Sequence, residues 1–144
     1  MDERRSEIAY HALRVALGVV PLAAGADKFL NLLADWPSYL SPLAVRLLPV
    51  SPETFMRLAG IVEIVVGAAI LLRFARIFAW VAMAWLAAIA LELFTTGRFL
   101  DVAARDLVMA TAAFALAKLA PAFERAPSRA HRPATEGTPA PRQA

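Results

Sequence analysis

The chain contains no cysteine. That excludes disulfides, thiol redox chemistry, Cys-ligated iron–sulfur clusters and Cys-based zinc sites within it. Histidine is nearly as scarce, with only His11 and His131. His131 lies in a polar C-terminal stretch, so the chain alone cannot offer a haem two core histidines. No glycine-rich phosphate loop, nucleophile elbow or metal-ligand spacing is present, and no metal site is expected. Alternating strands are missing too, which argues against a β-barrel. The net charge is +3. No basic patch is interleaved with aromatics on a soluble module, so nucleic acid is not an expected partner.

What the chain has in excess is apolar residues, 60% of its 144 positions, with a mean hydropathy of +0.58. Soluble domains hold roughly 45–50%. Four apolar segments stand out, over residues 8–29, 55–72, 77–95 and 102–120. Each is long enough to cross a hydrocarbon core of about 30 Å as a helix. The expected fold is therefore an all-α membrane protein, a four-transmembrane-helix bundle over residues 8–120 with the lipid bilayer as its solvent. Segments two and three, and three and four, are joined by short turns, which makes neighbours antiparallel.

The first connection, Leu30 to Glu53, is longer and holds Trp36, Tyr39 and four prolines. Between the prolines, Leu43 to Leu48 is amphipathic. Trp and Tyr favour the membrane interface, so this loop is read as lying on the bilayer surface. Residues 121–144 hold five prolines and four arginines and are expected to be a disordered tail. With four spans both termini share one side. That side collects ten of the 15 lysines and arginines. The positive-inside rule then puts both termini in the cytoplasm, with a bacterial inner membrane as the expected location. A competing reading takes Arg4 and Arg5, Val15 to Ala23 and Ala24-Gly25-Ala26 as a cleavable signal peptide. Three acids before Ile8 and the interior face that the first segment shares with the second speak against it.

The polar residues inside the spans are the candidates for function. Arg14, Gly18, Gly25 and Lys28 fall on one face of the first helix, and Met56, Gly60, Glu63 and Gly67 on one face of the second. Small residues let helix backbones approach closely in lipid, so Gly18, Gly25, Gly60 and Gly67 are expected to form a packed interface. Glu63 needs an interior partner, because an ionisable group at mid-membrane costs about 2.5–3.5 kcal/mol. Arg14 is the expected partner. The alternatives are a Glu63 that relays protons or touches a ligand, and a protonated Glu63 beside a snorkelling Arg14.

At the other end of the spans, Lys28, Glu92, Arg105 and Asp106, with Asp27 and Asp101, lie at one level on three helices. Asp101 is expected to pair with Arg105 at i, i+4 or to cap the fourth helix. The group reads either as an ion-pair lock or as a polar mouth over an apolar bundle. A mouth suits an amphiphilic ligand such as a quinone. Lys28 and Arg105 are then the donors and Asp106 the proton exchanger. Trp80, Trp85 and His11 read as packing or interfacial residues.

Four motifs in order carry a resemblance: Leu13 to Gly18 (LRVALG), Gly25 to Phe29 (GADKF), Ala59 to Gly67 (AGIVEIVVG) and Asp101 to Leu107 (DVAARDL). Together they resemble the DoxX-like (DoxX/DoxD) family of small four-helix integral membrane proteins. The family's namesake is linked to thiosulfate:quinone oxidoreduction. The resemblance thus implies a membrane subunit or anchor of a redox system, in contact with quinone, with a redox partner protein or a second copy of itself. A small-molecule or proton-coupled transport component is the alternative, and a stand-alone quinone-linked oxidoreductase a third. The lack of cysteine argues against sulfur relay through a protein thiol.

Overall fold

A computed structural model describes residues 3–124 of the chain. It contains four long helices: α1 (Glu3–Leu30), α3 (Pro52–Leu72), α4 (Ala75–Thr96) and α5 (Leu100–Glu124). All four are long and apolar enough to cross a membrane. The α1–α3 connection holds a 3-10 turn, Trp36–Tyr39, and a short helix, α2 (Pro42–Leu47).

The ends differ from the apolar segments for local reasons. α1 begins five residues before Ile8, because Glu3, Arg4, Arg5 and Glu7 form helix well without being apolar. α3 begins at Pro52, where Ser51 accepts a hydrogen bond from Thr54 N–H and Pro52 needs no donor in the first turn. α4 ends at Gly97, which takes the left-handed conformation (φ +64°) that suits glycine. The tail boundary moves as well. Helix α5 passes through Pro121 to Glu124, held by tertiary contacts: Phe123 stacks on Tyr10, and Glu124 accepts the backbone N–H of Arg76. The tail expected from position 121 therefore overlaps the helix by four residues; its remainder, 125–144, lies outside the described residues.

In the bundle, α1 packs on α3 and α5, and α4 packs on α5 and α3. The closest pairs, α1 with α3 and α4 with α5, use small residues in two ways. Gly25 meets Gly60, and Gly67 meets Gly18: an added Cβ on Gly25 would lie 2.6 Å from the Gly60 carbonyl, and one on Gly67 2.5 Å from that of Gly18. The α4–α5 seam holds buried alanines: Ala75, Ala79 and Ala82 share one core cluster with Ala113, Ala117 and Ala120. In lipid, close backbone approach replaces hydrophobic burial as the source of helix association.

The two glycine contacts set one antiparallel register, 25 opposite 60 and 18 opposite 67. Leu13 is then level with Leu72, so α1 runs past α3 by the ten residues Glu3 to Ala12, about 15 Å at 1.5 Å each. We call this end, with the α3–α4 turn, the base, and the opposite end, with the α1–α3 connection, the mouth.

Candidate functional site

Glu63 lies near the middle of α3, about 16 Å from Pro52 and about 14 Å from Leu72 along the axis. Its partner is Lys28, not Arg14. Lys28 Nζ stands 2.7 Å from Glu63 Oε2, and the two side chains are only 6% and 9% exposed. Arg14 instead donates from Nε to the Ile70 carbonyl at 3.0 Å and from Nη2 to the Leu71 carbonyl. It caps the C-terminus of α3, where unpaired carbonyls and the helix dipole favour a cation.

The Cα–Cβ bond decides between the two cations. It leans toward the N-terminus of its own helix. In this register Lys28 is six residues from the level of Glu63, and Arg14 eight residues from it on the other side. Lys28 leans from the mouth toward the middle, and Glu63 leans toward the mouth, so their heads converge. Arg14 leans toward the base and away from Glu63.

Two indoles complete the pair. Trp36, in the 3-10 turn, lies over the ammonium with its ring centroid 3.7 Å from Nζ. Trp85 on α4 points its Nε1 at Glu63 Oε1, at 3.5 Å. Trp36 is in turn held by Asp27, whose carboxylate accepts the indole N–H at 2.7 Å and the backbone N–H groups of Leu32 and Leu33 at 3.0–3.1 Å. Asp27 therefore closes the α1 terminus and fixes the roof of the site. Asn31, at φ +50°, turns the chain back over the mouth.

The six charges expected at one mouth divide into separate arrangements. Asp27 and Lys28 belong to the buried group just described. Glu92 ties down the loop, accepting Ser41 N–H at 2.7 Å, while the Ser41 hydroxyl caps α2 through Ala44 N–H. Arg105 turns to its neighbour Asp106 rather than to Asp101: its Nη2 is 3.1 Å from Asp106 Oδ1. The Arg105 side chain is 60% exposed and that of Asp106 only 6%. Lys28 is a second cation within electrostatic reach of Asp106. Asp101 lies on the outside of the first turn of α5, with no side-chain partner among the described residues. It does not cap the helix, which opens one residue earlier, after Phe99 in a left-handed conformation (φ +56°).

Asp27, Trp36 and Trp85 have roles here that the sequence reading did not assign: it placed Asp27 among the mouth charges and took the two tryptophans for interfacial or packing residues. The spacing of Asp27, Lys28 and Trp36 was visible. The reach of Trp85 depends on how α4 packs against α3, and no local pattern carries that.

An interior ion pair at mid-span, roofed by an interfacial loop and enclosed by helices packed on glycine and alanine, defines a multi-pass four-helix membrane protein with a polar core. The DoxX family model matches residues 9–100, a stretch that holds Lys28, Glu63, Trp36 and Trp85, and the chain belongs to the DoxX family. No curated protein and no solved structure matches it.

Proposed function

We propose that this chain is a non-catalytic membrane subunit of a redox system that holds a quinone at the Lys28–Glu63 pair for a partner protein. The supporting observation is a buried donor and a buried acceptor, 2.7 Å apart, beside the faces and edges of two indoles. A quinone carbonyl accepts a hydrogen bond from an ammonium, its flat ring stacks on indole, and its tail needs apolar walls. In this reading Lys28 supplies the donor, Glu63 holds or releases a proton, and Asp106 with Arg105 connects Lys28 to the outer surface. The membrane is the inner one, with both termini cytoplasmic.

The test uses the indoles as reporters. Purified protein is titrated with a short-tailed quinone analogue, and tryptophan quenching is followed in a Trp80→Phe background. Saturable quenching that weakens at least tenfold in Lys28→Met and in Glu63→Gln, with folding retained, is the expected result. Unchanged binding in both variants overturns the assignment. The mid-span depth of Glu63 favours a second reading, a proton-coupled transport component. Proton-coupled flux in vesicles that Glu63→Gln abolishes, with no quinone bound, would establish it instead.

A further inference from the structure

The base of the bundle carries a second feature, more than a dozen residues away along α1. Because α1 runs past α3, its first turns stand free on one side, with the end of α5 beside them through the Tyr10–Phe123 stack, 4.7 Å between centroids. The α3–α4 turn forms the floor. Between them is a cavity of about 230 Å³ lined by Glu7, Tyr10, His11, Arg14, Arg73 and Glu124. Glu7 and His11 also line a shallow apolar groove on the outer face of α1, about 710 Å³, with Ile8, Ala12, Val15 and Ala16. A polar recess thus opens directly onto an apolar strip that runs toward the membrane centre.

Depth and charge narrow the occupant. α3 is about 31 Å long and matches the hydrocarbon core of about 30 Å, whereas α1 is about 42 Å. The excess lies at the base, so the recess stands at the level of the lipid head groups. It holds two cations, Arg14 and Arg73, and two acids, Glu7 and Glu124. Arg14 uses one edge of its guanidinium on the α3 carbonyls, and the Tyr10 hydroxyl stands within hydrogen-bonding reach of both Arg14 and Glu124. Among the described residues, the Arg73 guanidinium and the Glu7 carboxylate have no hydrogen-bond or ion-pair partner. Glu124 is fixed in place by the backbone N–H of Arg76. A purely anionic head would meet both carboxylates. A choline head carries positive charge but no N–H to donate. A phosphate joined to a primary ammonium satisfies both signs.

We propose that the base of the bundle binds one aminophospholipid, its phosphate on Arg73 beside Arg14, its ammonium on Glu7 beside Glu124, and an acyl chain along Ile8, Ala12 and Val15. Basic recesses between membrane helices at the head-group level are a general mode of lipid recognition.

Full-length protein reconstituted in bilayer discs of equal phosphatidylethanolamine, phosphatidylglycerol and phosphatidylcholine, then released into the gas phase intact, tests it. One phosphatidylethanolamine should be retained at least tenfold over the other two. Arg73→Gln and Glu7→Gln should each remove that preference, Arg73→Lys should keep most of it, and Arg98→Gln at the mouth should leave it intact. Thermal midpoints of the variants identify any that fail to fold, and the lysine variant then carries the comparison. Equal retention of the three lipids, or the same preference in Arg73→Gln as in the wild type, would overturn the proposal. Displacement by soluble phosphoethanolamine at millimolar concentration would overturn it too, by showing a site for a free phosphate ester.

Discussion

Trp36 is gripped by two consecutive residues: its ring face lies 3.7 Å from the Lys28 ammonium and its N–H donates to Asp27 at 2.7 Å. One side chain of the α1–α3 connection is therefore fixed in both position and tilt by the last turns of α1. Such a grip makes the connection a defined roof rather than a loose loop, and it allows the roof to be tested separately from the pair beneath it.

Asp27→Ala removes the acceptor for three N–H groups. The expected loss is about 1–3 kcal/mol for donors left unpaired. In a background with Trp80 and Trp85 replaced by Phe, Trp36 emission should shift to the red and acrylamide quenching should rise. Emission identical to the parent would show that Asp27 does not hold the ring.

The Lys28–Glu63 pair should obey the rule for buried ions. Lys28→Met and Glu63→Gln alone should differ in severity, the former leaving a bare carboxylate at a cost of about 3–5 kcal/mol. The double variant should recover much of that loss, read as the thermal midpoint in detergent. Strict additivity would mean that the two groups are not coupled.

Arg14 and Glu63 should be independent, since Arg14 binds the Ile70 and Leu71 carbonyls. Arg14→Gln weakens the end of α3, and combined with Glu63→Gln its effect should add within about 0.5 kcal/mol. A coupling energy well above that would restore the Arg14–Glu63 pairing.

The glycines should fall into two classes. Gly60→Ala places a Cβ 2.7 Å from the Gly25 carbonyl, backbone that cannot turn aside. It should cost about 1–3 kcal/mol and also weaken the Lys28–Glu63 coupling, because it separates α1 from α3. Gly97→Ala meets nothing within 4 Å but sits at φ +64°. Its cost should be about 1–2 kcal/mol, from backbone strain alone, with the coupling intact.

Orientation is tested with reporters fused after Ala144 and within Ser38 to Pro49. The ten-to-five division of lysine and arginine between the two ends predicts a cytoplasmic reporter at Ala144 and a periplasmic one in the connection. The reverse pattern would refute the assignment.

The spans and the glycine faces could be read from the chain because each is a local property: apolar length, and a spacing of three and four. Glu63 stood out for the same reason, as a charge inside an apolar run. Its partner did not, because pairing depends on register. Taking Ile8 and Leu72 as level ends placed Arg14 nearer to Glu63 than it is. The seven-residue spacing shared by Gly18–Gly25 and Gly60–Gly67 already contained the correct register. Combined with the N-terminal lean of each Cβ, it leads to Lys28. The separation of Glu92 from the buried pair, and the turn of Arg105 to Asp106 rather than to Asp101, were not accessible in this way. They follow from the course of the α1–α3 connection, where Ser41 N–H claims Glu92, and from the Arg105–Asp106 contact on α5.

The pairing of Lys28 with Glu63 has a consequence for the order of events during synthesis. A nascent chain that has emerged only as far as the α1–α3 connection holds Arg14, Asp27 and Lys28 but not yet Glu63, the carboxylate that pairs with the lysine in the finished bundle. Each charge raises the free energy of leaving the translocation channel for lipid. The charge on Lys28 is thus expected to favour release of α1 together with α3, whose Glu63 follows 35 residues later. Insertion of the two helices as one hairpin is the expected outcome, and the Lys28→Met variant, which lacks that charge, should release α1 without waiting for α3.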